Sequence, residues 1–277
     1  MDPLIYYQKH YRIRYKGTFT PKKKHIFRAA RAAVGRFDLL KHLLKPRWRV
    51  LEVGSGGGEF LYLLKKLGYD AFGIEPNEGY SEYAKSEYQL NIKTGFLQNT
   101  QFEDNSFEMV TLWHVLEHMD NPADILKKIH SFLATDGLLI IEVPNIEAIC
   151  SLPSNTFHAA HLYNFNQSTL RRMAERAGFV VIEKLMGGDG GNIFLFLKKI
   201  SEPPRKIQDE IDGNYERIKS IVARRTTLKY YFSRYPYSRV LSKIRQWFSE
   251  KGASNQFASG KEILDHLMEK IDRSSLS

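Results

Sequence analysis

A strand-like run that breaks into glycine constrains this chain more than any other feature. Arg49-Val50-Leu51-Glu52-Val53 passes at once into Gly54-Ser55-Gly56-Gly57-Gly58, and a helical stretch over 59–67 follows, closed by Gly68. Strand, glycine turn and helix in that order let a ligand approach bare backbone while a helix N-terminus faces it. The pattern then repeats without the glycines: a strand over 71–75 stopped by Pro76, and a helix over 80–87. Further strands are expected at 91–93, 107–113 and 138–143, with helices at 122–133 and 169–177 and a turn at Asp136-Gly137. Two last strands, 179–183 and 192–197, lie close enough to pair antiparallel at one edge. Alternation of this kind predicts an α/β fold, a doubly wound, mostly parallel seven-stranded sheet.

The turn also narrows the ligand. A dinucleotide fingerprint, Gly-x-Gly-x-x-Gly, would need glycine where Glu59 stands, and a carboxylate in the first helical turn repels a pyrophosphate. S-adenosylmethionine has no phosphate and carries a sulfonium and an ammonium group, so acids beside its loop are useful. Glu75 ends the second strand, 21 residues beyond Gly54. A carboxylate there can accept both hydroxyls of a ribose.

Charge divides the chain in three. Residues 1–49 hold 14 Lys/Arg against Asp2 and Asp38, residues 50–200 hold 12 basic and 19 acidic residues, and residues 201–277 hold 15 and 10. The expected organisation is a basic helical extension at 1–44, a cofactor-binding domain at 45–200 and a basic, aromatic helical extension at 201–277, with helices near 205–226, 238–250 and 260–272. Cys150 is the single cysteine, so an internal disulfide and a cysteine-based zinc site are excluded. The opening Met1-Asp2-Pro3-Leu4 reaches charge at once, and no apolar run approaches the roughly 18 residues of a membrane span. These features predict a cytoplasmic protein, in contact with a membrane surface at most peripherally.

Two motifs add a family likeness. Residues 50–58 resemble the first motif of the Rossmann-like S-adenosylmethionine-dependent methyltransferases, and Gly73-Ile74-Glu75-Pro76 their second. The segment from Phe107 through Trp113-His114-Val115-Leu116-Glu117-His118 resembles the fourth-strand motif of the ubiquinone-biosynthesis O-methyltransferase branch, as Gly137 to Asn145 and His161-Leu162-Tyr163-Asn164-Phe165 resemble later segments of it. The resemblance implies a methyltransferase with S-adenosylmethionine as cofactor. It places Gly54, Gly56 and Gly58 against the methionine portion and Glu75 on the ribose. Glu52 supports the loop, and Ser55, Pro76, Leu97, Trp113 and His114 line the site. Where relatives often place an acid after a glycine to read adenine, Phe96 follows Gly95, so stacking and backbone contacts are expected there.

Methyl transfer needs alignment and a base for the acceptor's proton. His118, His161 and His114 are the candidates, since histidine titrates near neutrality. Some relatives hold a divalent metal with Glu-x-x-Glu-His. Here the run is His114-x-x-Glu117-His118, with His158 or His161 downstream, so a metal held by His114, Glu117, His118 and His161 is the alternative to a metal-free site. The expected reaction is O-methylation of a small-molecule, glycan or lipid-linked acceptor. An RNA 2′-O-methyltransferase and a non-catalytic binding subunit are the other readings. Within 217–251, ten Lys/Arg and one acid alternate with Tyr230, Tyr231, Phe232, Tyr235, Tyr237, Trp247 and Phe248. That composition suits a bilayer surface, RNA, or packing against the protein itself or a second subunit.

Overall fold

Alternating apolar segments become strands here because their side chains are covered on both faces, and the computed structural model of the chain describes residues 17–201, 210–269 and 271. The strands are β1 (Arg49–Val53), β2 (Asp70–Glu75), β3 (Asn91–Thr94), β4 (Phe107–Trp113), β5 (Leu133–Pro144), β6 (Phe179–Met186) and β7 (Asn192–Lys199). They form one sheet in the order β3-β2-β1-β4-β5-β7-β6. β1, β2 and β3 pair parallel, as do β4 and β5, whereas β7 lies antiparallel to both β5 and β6. The doubly wound, mostly parallel seven-stranded sheet with an antiparallel edge is thus present.

Helices fall where the 3.6-residue period places them. In α1 (Lys23–Leu40) the buried positions are Ile26, Ala30, Ala33, Phe37 and Leu40, a single stripe. The helix α2 (Glu59–Lys66) is buried nearly all round, in keeping with a sequence from Phe60 to Leu64 that lacks charged residues. Asn77 caps α3 (Glu78–Tyr88) by accepting the Tyr80 N–H, and Asn121 caps α4 (Pro122–Phe132), whose first residue is the proline that position favours. Asn166 opens α5 (Gln167–Arg176) with a reciprocal capping box to Thr169. Beyond the sheet come α6 (Asn214–Arg224), α7 (Thr227–Tyr231), α8 (Tyr235–Gln256) and α9 (Gly260–Met268). Within 1–44 the described residues hold α1; residues 1–16, 202–209, 270 and 272–277, on which parts of the expected terminal helices fall, lie outside the described residues.

One expected turn takes another form. Phe107 pairs with Leu133, but Met109 pairs with Leu138, so residues 134–137 bulge from β5 instead of ending it, with Asp136 at φ +61°.

Residue contacts gather into two compact units, Met1–Phe102 with Arg245–Ser277, and Glu103–Ile244. In the first unit, α9 returns to α1 and α2: Tyr62 Oη donates to Asp265 (2.6 Å), Lys23 Nζ to the Phe257 carbonyl (2.8 Å), and Ile263 and Leu264 are fully buried. In the second, α5 packs its Leu170 and Ala174 inward beside β6 and β7.

Candidate functional site

In the first unit the glycine turn is drawn tightly over the end of β2. Gly54 and Ser55 both donate their N–H to the Ile74 carbonyl, at 2.7 and 3.0 Å. Gly54 and Gly56 sit at φ +75° and +58°, which side-chain-bearing residues reach only at a cost of about 1 kcal/mol or more. The buried Glu75 carboxylate accepts the Gly56 N–H on Oε2 (2.7 Å) and the Asn77 N–H on Oε1 (2.9 Å). Both oxygens are therefore aimed by backbone N–H groups, which fixes the direction in which the carboxylate can accept from a diol. Asn77, which sequence reasoning did not select, orients Glu75 and caps α3 at once.

Acids accumulate under this turn. A side chain on Gly57 would fall 2.6 Å from Glu59 Oε1, so the Glu59 carboxylate folds back beneath the loop. Glu52 is buried, and burial pushes its pKa well above the carboxylate range; Arg36 opposes the rise, while Glu59 and Glu75 add to it. Its Oε2 makes no hydrogen bond among the described residues, nor does the buried Ser55 Oγ. Buried acids and an unsatisfied hydroxyl do not suit a pyrophosphate; they suit a ligand carrying positive charge and hydroxyls, as S-adenosylmethionine does. Gly58 serves packing as well: a Cβ there would lie 2.5 Å from Leu90 Cδ1 and 3.0 Å from Ala84 Cβ. Gly95 donates to the Glu75 carbonyl (3.0 Å), which sets half-buried Phe96 and buried Leu97 just beyond that strand end, and Pro76 directly follows Glu75.

The second unit gathers the histidines. β4 ends at the buried Trp113, and His114 turns the chain at φ +56°, its N–H donating to the Glu142 carbonyl (2.9 Å). The ring bridges two carboxylates, with Nδ1 3.4 Å from Glu117 Oε1 and Nε2 3.1 Å from Glu142 Oε1. Asn192 donates to the same Glu142 oxygen at 2.7 Å. Burial opposes charge on His114, but Glu117 and Glu142 outweigh it and raise its pKa to about 9. The ring thus braces the end of β4 between the two carboxylates.

His118 differs. Its Nδ1–H donates to the Ala160 carbonyl (2.7 Å), which turns Nε2 toward Glu117. That nitrogen lies 3.9 Å from Glu117 Oε1, and the ring stands edge-on to His161 at 4.9 Å between centroids. Burial, then the neighbouring His118, lower the His161 pKa to about 4, so His161 is neutral at pH 7. The His161 loop is tied down by Leu162 and Tyr163, whose N–H groups donate to the Glu117 carbonyl. Glu117 is 1% exposed, and neither of its carboxylate oxygens makes a hydrogen bond among the described residues. One donor atom from each of Glu117, His118 and His161 lies within 4.8 Å of the others. Three of the four residues expected for a metal thus converge, without His114.

Glu142, Asn192 and the Ala160 carbonyl were not anticipated. Glu142 alone had a signal, a single acid inside the apolar run from Leu138 to Val143.

Comparison with known proteins accords with this geometry. The family model described as "Methyltransferase domain" matches residues 23–184. A Mycolicibacterium smegmatis protein named "Probable S-adenosylmethionine-dependent methyltransferase" is 26% identical over 140 residues, 49% of this chain and 53% of that one. A ubiquinone biosynthesis O-methyltransferase from Actinobacillus pleuropneumoniae is 29% identical over 107 residues, 35% of this chain and 46% of its own. The chain spans about half the length of the curated relatives it matches. Among solved structures, a SAM-dependent methyltransferase from Thermotoga maritima superposes with a TM-score of 0.55 at 22% identity, over 69% of this chain and 99% of that one.

Proposed function

Because the chain belongs to the methyltransferase domain family, we propose that it is an S-adenosylmethionine-dependent methyltransferase that modifies a hydroxyl oxygen of a small-molecule, glycan or lipid-linked acceptor. The cofactor, when bound, supplies an electrophilic methyl group on a sulfonium. Glu75, steadied by the Gly56 and Asn77 N–H groups, binds the ribose hydroxyls. Glu52, its pKa raised by burial, lies buried in the strand before the loop, and the Gly54–Gly58 turn offers its backbone to the methionine portion. His118 takes the acceptor's proton on Nε2. The observation that carries this role is the Nδ1–H bond to the Ala160 carbonyl, which orients the ring so that Nε2 lies 3.9 Å from Glu117 Oε1 beside His161. His161 lines the same cluster as a neutral ring, and His114 Nδ1 lies 3.4 Å from Glu117 Oε1 beside it.

The test separates binding from transfer. Glu75→Ala is expected to weaken S-adenosylmethionine binding by about 10- to 100-fold in calorimetry, the worth of one or two hydrogen bonds to a charged group. His118→Ala is expected to keep that affinity and lose about 100-fold or more in transfer of labelled methyl groups to a cell extract split into lipid, glycan, small-molecule and RNA fractions. Wild-type affinity in the Glu75 variant would sink the ribose assignment. No binding in the wild-type protein would favour a non-catalytic subunit.

One observation favours a second reading. Glu117 is buried, its Oε1 pairs with His114 at 3.4 Å, and it sits beside His118 and His161. A divalent ion held by these three would complete the site, and mixed imidazole and carboxylate donors suit zinc, manganese or iron better than magnesium. Loss of transfer on chelation, restored by one of these ions, with label in RNA that ribonuclease removes, would establish that reading.

A further inference from the structure

One helix turns its apolar side outward. α8 runs unbroken over Tyr235–Gln256. Its inner side is polar: Gln246 and Ser249 are half-buried and Glu250 is buried, with the Glu250 carboxylate paired to the Arg28 guanidinium at 2.9 and 3.0 Å. On the opposite side Tyr237, Val240, Leu241, Ile244, Trp247 and Phe248 recur at helical spacing, within an arc of about 120°. These six are 48–65% exposed. A surface helix normally does the reverse, burying its apolar stripe and wetting its charges. The exposed cations Lys243 and Arg245 stand beyond either edge of the arc, and the Lys251 ammonium lies 5.0 Å over the Trp247 ring within it.

We propose that this face of α8 docks on the surface of an anionic phospholipid bilayer. The aliphatic and aromatic side chains enter the boundary between headgroups and acyl chains, and Lys243, Arg245 and Lys251 pair with lipid phosphates. Charge decides the occupant. Ten Lys/Arg occupy 217–251, and the one acid there, Glu250, is turned inward and spent on Arg28. A second copy would bring two cationic rims together, whereas an anionic bilayer neutralises both. RNA would match the cations but not Val240, Leu241 and Ile244, which have no ring on which a base can stack. Among the described residues no helix is long and apolar enough to cross a membrane, so the contact lies in the interface plane. α8 lies beyond the family-matched residues 23–184, and the inference does not depend on methyl transfer.

The full chain would be sedimented with vesicles of phosphatidylcholine alone and of phosphatidylcholine with about a third phosphatidylglycerol. Binding is expected to be at least about tenfold tighter to the anionic vesicles and to weaken in high salt. Lys243→Gln, Arg245→Gln and Lys251→Gln combined should lower it about 100-fold. Leu241→Asp with Ile244→Asp should abolish it while the thermal unfolding transition stays in place, because both side chains are already exposed. The proposal is overturned if the wild-type chain stays in the supernatant with both vesicles, or if both variants bind as wild type. It is equally overturned if Leu241→Asp with Ile244→Asp instead disperses a dimer formed without lipid, or if RNA is retained and vesicles are not.

Discussion

His114 holds a left-handed backbone at φ +56° and a ring shared between Glu117 and Glu142. Strain of about 1–2 kcal/mol at a residue other than glycine persists only where the surroundings enforce it, and such positions concentrate at functional sites. The pairing has a measurable consequence. Folding raises the His114 pKa from the ordinary 6.5 to about 9, so between these values the folded chain binds a proton that the unfolded chain releases. Its stabilising contribution is complete below about pH 6.5 and fades as the pH rises through 9. The stability gap between wild-type protein and His114→Gln in urea unfolding is therefore expected to narrow steadily from pH 6.5 to 9. An unchanged gap would mean that the ring is neutral. None of this was legible at His114 itself, because Glu142 is distant in the chain and meets it only through the pairing of β4 with β5.

At the scale of elements, local chemistry was easier to read. Asn166 caps α5: it accepts the Thr169 N–H (2.8 Å), and its amide donates to Glu147 (3.0 Å) and Asn214 (2.6 Å). Asn166→Ala removes the cap and the hydrogen bonds to half-buried Glu147 and Asn214, and should cost about 1–3 kcal/mol in chemical denaturation. The strands and helices around the glycine turn follow from periodicity and punctuation, which act within a few residues. The bulge at residues 134–137 does not, because Asp136-Gly137 reads as a turn and only pairing with β4 converts it into part of β5.

For the whole molecule, segments far apart in sequence complete each other's cores. Leu264 in α9 is fully buried in the unit that also holds α1 and α2, although it lies 80 residues past the family-matched region. Leu264→Ala is expected to cost about 3 kcal/mol of unfolding free energy, as in any sealed core site, and a loss well below about 1 kcal/mol would mean α9 is not part of that core. The basic, aromatic composition of 217–251 was plain from the sequence, yet not which side of α8 faces out; burial of Glu250 against Arg28 decides that. The sequence by itself determined the α/β class, the glycine turn, the acid at Glu75 and the presence of histidines after β4, because these rest on short-range periodicity and on residue types that only certain backbones and ligands accept. The tertiary structure decided which partners each histidine meets, because those carboxylates and carbonyls are delivered by other strands and loops.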